Sequence, residues 1–297
     1  MSKTILVRIF LLLLLLAGVW YFGIKNYDYS ISFRAYQVPG EVYQKILVYD
    51  YKDLQNITET ERTPYDRIDQ TAIIGETDID LNWHIMEEND SLSRVSVSVN
   101  QENRFLSRLQ MLTGTNKIQK ILSKEVQRFK LALELDAEQY KVEITGTENS
   151  PAATCACISL ENDIDRKAGD MMQNIGSLAA FFKENELEMA GKPRIQVKDW
   201  DKKANRINYE FCFPFVPGEV SSPVPEIYIK EFPSQNSIHA IYNGNYMYSH
   251  LAWLRIMDYA QKNDYELNNT PLEIFQENPE LGGDSRFWRA DIYIPIK

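Results

Sequence analysis

Apolar side chains occupy every position of residues 9–24, and the two cations Lys3 and Arg8 come before them. Counted from Ile5, the stretch has 20 residues. A helix of that length would span roughly the 30 Å hydrocarbon core of a bilayer. Arg8 lies near one end, where its long side chain can reach the headgroups. The pattern therefore predicts a membrane-spanning helix within residues 1–26.

An uncleaved signal anchor explains this segment better than a cleaved signal peptide. The run exceeds the usual apolar region of a signal peptide, and Ala17-Gly18-Val19 is a poor cleavage sequence. No cysteine adjoins the run, which argues against a lipoprotein. Because the cations precede the run, the positive-inside rule places the N-terminus in the cytoplasm. We expect a single-pass protein whose C-terminal domains lie outside, in a periplasmic or other extracytoplasmic space.

Residues 27–146 carry patterns of both strands and helices. Alternating or β-rich patterns predict strands at 29–33, 71–74, 79–85 and 95–99, with a helix at 39–51. A longer helix follows, because apolar residues recur at steps of three or four. Those residues are Ile118, Leu122, Val126, Phe129 and Leu133. The stretch Thr113-Gly114-Thr115-Asn116 is its start signal. An antiparallel sheet closed by this helix would bury each apolar face.

The stretch FRAYQVPGEVYQKILVYDYKDL, from Phe33, resembles the start of the helix-grip domains of the SRPBCC (polyketide cyclase-like, START-related) family. In it a strand ends near Pro39, and a helix opens at Val42-Tyr43. The long helix at the end of the region fits the same resemblance. Leu54-Gln55-Asn56 stands where tryptophans usually follow the first helix in such relatives. The resemblance implies an apolar ligand between sheet and helix, and a filled spacer domain is the alternative.

A turn-rich stretch at 146–151 precedes residues 152–297, which contain an internal repeat. FKENELEMAGKPRIQV and AQKNDYELNNTPLEIF match at a constant offset of 78, as between Asn185 and Asn263. A helical pattern precedes each stretch, at 171–182 and 250–260. A closing strand follows each, ending at Phe215 and Ile296. The unit strand, helix, strand, strand is thus used twice. Two such units can join their sheets, with the helices on one side and a groove between them.

The duplicated region resembles the GyrI-like family, the effector-binding domain of AraC- and BmrR-type regulators. The resemblance rests on IHAIYNGNYMYSHLAWLRIMDYAQKN, PLEIFQENPE and FWRADIYIPI. In that family a glutamate on the strand matching Leu272-Glu273-Ile274-Phe275 lies at the floor of the pocket between the repeats. The resemblance implies that Glu273 attracts a cationic, aromatic ligand. Some members use this glutamate with a tyrosine to hydrolyse small strained substrates, and here Phe275 replaces the usual tyrosine of the Glu-x-Tyr pattern.

The repeat itself also distinguishes Glu273. At the same offset its counterpart is Ile195, so a position that is apolar in one copy is a carboxylate in the other. A buried carboxylate is unfavourable unless it is paired, and burial raises its pKa. This favours a cation-binding or acid–base role. Two structural alternatives remain: Glu273 points to an exposed strand face, or it forms an ion pair with Arg289 or Arg286.

Aromatic residues are the candidates for the walls of the pocket, since their rings stack on planar ligands and attract cations. The predicted ligand-binding residues are Glu273, Tyr228, Tyr242, Tyr246, Trp253 and Trp288. The leading hypothesis is a sensor or scavenger that binds a small cationic or aromatic molecule. A hydrolase is the alternative, with Glu273 as general acid or base and Tyr242 or Tyr246 assisting. A structural protein with filled pockets is the third possibility.

The predicted fold class is therefore α+β. It comprises a membrane anchor at residues 1–26, a helix-grip domain at 27–146, and a duplicated GyrI-like domain at 152–297. No second apolar run long enough to span a membrane occurs in the sequence.

Composition narrows the partners. The 297 residues include 32 Lys and Arg against 42 Asp and Glu, a net charge of −10, which argues against a nucleic-acid partner. Cys155, Cys157 and Cys212 are too few for a disulfide scaffold, and packing is the expected role of the Cys155-x-Cys157 pair. The three histidines lack ligand spacing, so no metal is predicted. No nucleotide-binding motif or helix-turn-helix occurs, so neither a cofactor nor the DNA-binding activity of AraC-type regulators is expected.

Overall fold

The computed structural model describes residues 3–89 and 92–297. The chain divides into two compact units, Met1–Glu134 and Leu135–Lys297. Each unit contains its own antiparallel sheet with helices. The predicted α+β class is confirmed.

The first helix, α1, covers Lys3–Val19 and continues as a π-helical segment, Trp20–Ile24. Its apolar side chains are exposed, as at Leu15, which is 63% accessible. Among the described residues, 5–24 form the one helix that is long and apolar enough to cross a membrane. The segment thus meets the length and composition requirements of the predicted span.

The rest of the first unit is a five-stranded antiparallel sheet with three helices. Its elements are β1 (Tyr29–Ala35), α2 (Pro39–Val48), β2 (Gln55–Thr63), β3 (Arg67–Ile74), β4 (Thr77–Asn89), β5 (Leu92–Gln101), α3 (Arg104–Thr113) and α4 (Lys117–Ala137). The strand order β1-β5-β4-β3-β2 places the first strand beside the last. Each strand predicted from the sequence lies within one of these strands.

Helix α4 begins and buries its side chains as its sequence pattern predicts. Gly114 ends α3 in the left-handed conformation at φ 68°, where glycine avoids a steric cost. The Asn116 side chain then accepts a hydrogen bond from the Gln119 backbone N–H at 2.9 Å, which caps α4. Four residues of the predicted stripe are buried in the core and the first, Ile118, is partly buried. Phe129, for example, has its ring centroid 5.6 Å from that of Trp83.

Aromatic side chains fill the space between the sheet and α4. Tyr51, Trp83 and Phe129 are almost completely buried and contact one another through their rings. The unit therefore has the predicted sheet-and-helix arrangement, with its interior occupied by its own side chains. Its resemblance to SRPBCC domains remains a prediction.

The second unit is an eight-stranded antiparallel sheet with two helices. Its elements are β6 (Lys141–Asn149), β7 (Ala153–Asp163), α5 (Lys167–Glu184), β8 (Arg194–Asp201), β9 (Arg206–Pro214), β10 (Tyr228–Phe232), β11 (Asn236–Asn243), α6 (Leu251–Lys262), β12 (Leu272–Phe275) and β13 (Arg289–Pro295). The order β10-β7-β9-β8-β12-β13-β11-β6 contains the repeat in mirrored form. The first copy is β7-α5-β8-β9, the second is β11-α6-β12-β13, and they meet where β8 pairs with β12.

Strand β6 belongs to this second sheet, since it pairs along its length with β11. The sheet therefore begins at Lys141, within the region assigned from the sequence to the helix-grip domain. The domain limits at residues 1–26, 27–146 and 152–297 remain predictions.

A disulfide joins Cys157 on β7 to Cys212 on β9. The two residues are directly opposite in the strand register, with their Cα atoms 4.1 Å apart. The expectation that Cys157 only fills space is therefore wrong. The expectation of packing holds for Cys155, which is a buried free thiol two residues away. Sequence spacing could not identify the bonded pair because the register of β7 on β9 is set by tertiary structure.

Candidate functional site

A cleft of about 740 Å³ opens between the two repeats of the second unit. Residues 168–179 of α5, in the first repeat, form one wall. The second repeat contributes Phe275, at the end of β12, and the loop that follows it. The aromatic side chains along the cleft are Phe211, Phe213, Tyr246, Phe275 and Trp288. A groove therefore lies between the repeats, where the duplication predicted one.

The lining of the cleft is mostly apolar. Besides the rings it includes four methionines, whose flexible and polarisable side chains adapt to ligands of different shapes. These are Met171, Met172, Met189 and Met247. The charged side chains along the cleft are Lys192, Glu277 and Glu280, two negative against one positive. Such a surface suits a largely apolar or aromatic molecule that carries a positive group.

The hydroxyl of Tyr246 fixes the loop that carries the acidic residues. It donates to the backbone carbonyl of Arg289 at 2.7 Å and lies 3.0 Å from Glu277 Oε2. The Glu277 backbone N–H in turn donates to this hydroxyl at 3.1 Å. Burial raises the pKa of Tyr246, so the phenol stays protonated at neutral pH. The Glu277 carboxylate is thereby held at the cleft.

Glu273 is the second residue of β12, all of which is buried. In the sheet it lies opposite Ile195 of β8 and Ile292 of β13. Alternation along a strand puts Glu273 and Phe275 on the same face, and Phe275 lines the cleft. The Glu273 side chain is 0% exposed and is not among the described residues that line the cleft. It therefore lies beneath the cleft floor.

Lys167, the first residue of α5, supplies the counter-charge. Its Nζ lies 3.7 Å from Glu273 Oε2, and both side chains are fully buried. The Ser249 hydroxyl donates to the same carboxylate oxygen at 2.7 Å. The Lys167 ammonium donates to Ser249 Oγ at 2.7 Å and to the Tyr246 carbonyl at 3.0 Å. The carboxylate and the ammonium thus form one hydrogen-bonded group that joins both repeats.

Burial shifts the pKa values of Glu273 and Lys167 in opposite directions. Desolvation raises the pKa of Glu273 and lowers the pKa of Lys167, while the charge of each partner opposes the shift in the other. A proton moved from Lys167 to Glu273 would turn the ion pair into a neutral pair. The net charge of the pair is zero in both states. The pair therefore adds no net charge that could attract a cation into the cleft.

Residues 147–297 match the model of the GyrI-like small molecule binding domain, just over half of the chain. The chain belongs to the GyrI-like family. The resemblance inferred from the sequence is confirmed, and the second unit contains a small-molecule-binding domain. A search among curated proteins found no match.

Solved structures similar to this chain include the following three. The EcmrR C-terminal domain is 18% identical with a TM-score of 0.43, covering 53% of this chain and 98% of its own. An EcmrR–DNA complex is 17% identical with a TM-score of 0.45, covering 65% and 70%. SAV2435 bound to tetraphenylphosphonium is 10% identical with a TM-score of 0.33, covering 53% and 93%. That this chain has no nucleic-acid partner remains a prediction.

The structure brings some of the predicted aromatic residues of the GyrI-like domain to the cleft. Tyr246 and Trp288 line it, with ring centroids 5.6 Å apart. Trp253 is fully buried on α6, where the Lys167 ammonium lies 5.9 Å from its ring centroid. Trp253 also contacts Trp200 edge to face at 5.3 Å. It therefore supports the ion pair beneath the cleft.

Tyr242 and Tyr228 lie elsewhere in the GyrI-like domain. The Tyr242 hydroxyl donates to the Asn245 carbonyl at 2.8 Å, and its side chain is buried. The Tyr228 hydroxyl, on the edge strand β10, donates to Glu210 at 2.7 Å. Both phenols are thus used by partners of their own. Their predicted binding roles, and that of Glu273, are not tested by this geometry.

Both structural alternatives for Glu273 are wrong. The side chain is buried, and its cation is Lys167, while Arg286 pairs with Asp284 and Arg289 pairs with Asp291. Sequence reasoning missed Lys167 and Glu277. Glu277 lies in the stretch PLEIFQENPE, but only the strand Leu272–Phe275 in that stretch was used to infer a site from the sequence. Lys167 lies at a helix start, where a cation carries no signal for a partner so distant in sequence.

Proposed function

We propose that this protein is a membrane-anchored receptor for small, largely apolar or aromatic cations, which bind in the cleft between the repeats. The observation that carries the proposal is the cleft itself: rings and methionines along its length, with Glu277 and Glu280 on one side. Aromatic faces and carboxylates both favour cations. Methionines favour ligands of varied shape.

In this proposal Glu277 and Glu280 provide the attraction for the ligand's positive charge. Both side chains are exposed and line the cleft. Glu273, to which the sequence assigned this role, holds Lys167 and so fixes the start of α5, one wall of the cleft. Contact between a ligand and Glu273 through Oε2 would require that oxygen to give up Lys167 and Ser249. The two assignments can be separated by mutation.

Tetraphenylphosphonium and tetraphenylborate provide the first test, because they have nearly the same shape and opposite charge. Equilibrium dialysis against residues 25–297 avoids lipid and detergent, which would take up both ions. We expect the cation to bind and the anion to bind at least tenfold more weakly, a difference of about 1.4 kcal/mol. Equal binding would refute the choice of cations, and binding of neither ion would refute the proposed ligand class.

Charge-neutralising variants identify the carboxylates. Each exposed charge contributes up to about 1 kcal/mol, so Glu277→Gln and Glu280→Gln should each weaken cation binding about two- to fivefold. Glu231, exposed on β10 and outside the cleft lining, provides the matched control Glu231→Gln, which should leave affinity unchanged. The double variant Lys167→Met with Glu273→Gln removes the buried pair. A loss of affinity in this double variant, but not in Glu277→Gln or Glu280→Gln, would assign the role to Glu273.

The orientation in the membrane is part of the proposal. Lys3 and Arg8 precede the apolar helix, which favours a cytoplasmic N-terminus and an external C-terminal domain. The Cys157–Cys212 disulfide supports the same orientation, because disulfides persist in oxidising compartments. A receptor placed this way would bind its ligand outside the cytoplasm.

A further inference from the structure

Helix α3 exposes four of its apolar side chains and buries two of its polar ones. Phe105 and Leu112 are each 64% exposed, and Leu106 and Leu109 lie between them on the same face at 46% and 44%. Ser107 and Arg108 are instead buried. This is the reverse of the usual arrangement on the surface of a soluble domain. A contiguous exposed apolar face of this kind marks a contact surface.

Arg108 fastens α3 to the end of the apolar N-terminal helix. Its guanidinium donates to the backbone carbonyl of Tyr21 at 2.6 Å and to that of Lys25 at 2.5 Å. These carbonyls lie where the helix ends, and a cation there satisfies them. Nε donates to Asp28 Oδ1 at 3.0 Å, and both side chains are almost fully buried. The buried face of α3 is thus used to hold the last turn of the helix.

The exposed face of α3 lies beside that last turn. The Phe105 ring centroid is 5.1 Å from that of Phe22, two residues before the apolar stretch ends at Ile24. Arg104 donates to the Lys25 carbonyl at 2.9 Å, which places a second cation at the same level. Rings and cations together are typical of the boundary between hydrocarbon and headgroups.

We infer that α3 lies in the membrane surface, with its apolar face buried in the boundary between headgroups and acyl chains of the leaflet where the N-terminal helix ends. Amphipathic helices at that boundary are buried about 5–10 Å deep. The partner is a lipid surface, because the apolar face continues from the Phe22–Phe105 contact with the span. The inference rests on the proposed membrane anchor, and it adds a second membrane contact that the anchor alone does not require.

Depth-dependent quenching of a fluorescent label tests this in the full chain, reconstituted into vesicles. Leu109→Cys carries the label on the exposed face of α3. Cys155 is buried and the other two cysteines form a disulfide, so background labelling is low. Nitroxide lipids with the quencher near the headgroup or at the chain end report the depth. We expect the Leu109→Cys label to lose most of its fluorescence to the shallow quencher and less to the deep one.

Two further labels separate the possible failures. Leu14→Cys, at the middle of the apolar stretch, should be quenched more by the deep lipid. Met86→Cys, at an exposed apolar side chain, should not be quenched. In the strand register, Met86 of β4 lies opposite Arg94 of β5, and Arg94 lies opposite Arg34 of β1. Arg34 is five residues, or about 17 Å, along β1 from Tyr29, the strand residue nearest in sequence to the apolar helix. If the Leu14→Cys label is quenched and the Leu109→Cys label is not, the inference about α3 is overturned but the anchor stands. If neither label is quenched, the proposed anchor is overturned as well. A Leu109→Cys label shielded from both water and lipid would indicate a protein partner and also overturn it.

Discussion

At the scale of single residues, the Lys167–Glu273 pair is costly to bury in the GyrI-like domain. Each group loses its hydration completely, and their mutual attraction must compensate for it. The hydroxyl of Ser249 and the carbonyl of Tyr246 provide hydrogen bonds that lessen this cost. The stability of the pair therefore depends on both members being present.

Lys167→Met should destabilise the domain more than the double variant Lys167→Met with Glu273→Gln. The single variant leaves a buried carboxylate without its cation, which typically costs about 3–5 kcal/mol. The double variant leaves no buried charge, and the oxygen of the introduced amide can still accept from Ser249. Urea unfolding followed by tryptophan fluorescence measures both free energies. Equal stability of the two variants would show that the carboxylate does not depend on Lys167.

His250 gives the same region a dependence on pH. Burial, with the nearby charge of Lys167, lowers the pKa of His250 well below 6.5. The folded protein keeps the imidazole neutral, whereas the unfolded chain takes up a proton below pH 6.5. The contribution to stability is therefore complete above pH 6.5 and is lost as the pH falls towards the folded pKa.

As the pH falls below 6.5, the free energy of unfolding of the wild type should decrease by up to about 1.4 kcal/mol per pH unit from this one group. In His250→Gln that part of the slope should be absent, whatever the substitution does to stability at neutral pH. Urea unfolding at a series of pH values measures both slopes. Identical slopes in the two proteins would contradict a neutral buried His250.

The burial of Glu273 could be inferred from the sequence, but its partner could not. The repeat aligned it with Ile195, and the two residues are direct neighbours in the central strand pair. Its cation lies on another element, at a position determined by how α5 packs on the sheet. Tyr246 and Trp288 were recognised as wall candidates by residue type. Residue type could not exclude Trp253, because an aromatic residue can equally lie beneath a cleft or along its wall.

At the scale of elements, the pattern of apolar residues predicted those that bury one face. The stripe along α4 and the alternation in β5 both bury one side. Strand β2 was missed because Gln55–Thr63 is almost wholly polar and exposed at the sheet edge. Helix α3 was also missed, and four of its apolar side chains are exposed instead of being buried in the core. Hydrophobic periodicity identifies an apolar face that is buried, but it does not identify the element or surface that buries it.

The disulfide stabilises the domain at the scale of elements, because it joins two strands of the sheet. It links β7 to β9 within the first repeat, across a sequence separation of 55. Cys157→Ala with Cys212→Ala should lower the free energy of unfolding by about 2–4 kcal/mol. Cys155→Ala is the matched control, because burial raises the pKa of Cys155 to about 11 and keeps it a protonated, unbonded thiol. A control variant as unstable as the double variant would attribute the loss to packing.

At the scale of the whole molecule, the proposed orientation predicts which reporter enzyme functions at the C-terminus. Alkaline phosphatase requires disulfides and is active only outside the bacterial cytoplasm, whereas β-galactosidase is active inside. Fused after Lys297, the phosphatase should be active and the galactosidase inactive. The opposite pattern would place the GyrI-like domain in the cytoplasm. Trapping of free thiols before lysis would then find Cys157 and Cys212 reduced.

The pairing of Ile195 with Glu273 at the junction of the repeats has a consequence for symmetry. A homodimer of one repeat would place identical residues across its two-fold axis, either two isoleucines or two carboxylates. Two carboxylates there would repel each other, and two isoleucines would carry no charge. A single carboxylate opposite a single isoleucine is possible because both halves are fused in one chain and can differ. Fusion thus permits an asymmetric centre that a symmetric assembly cannot have.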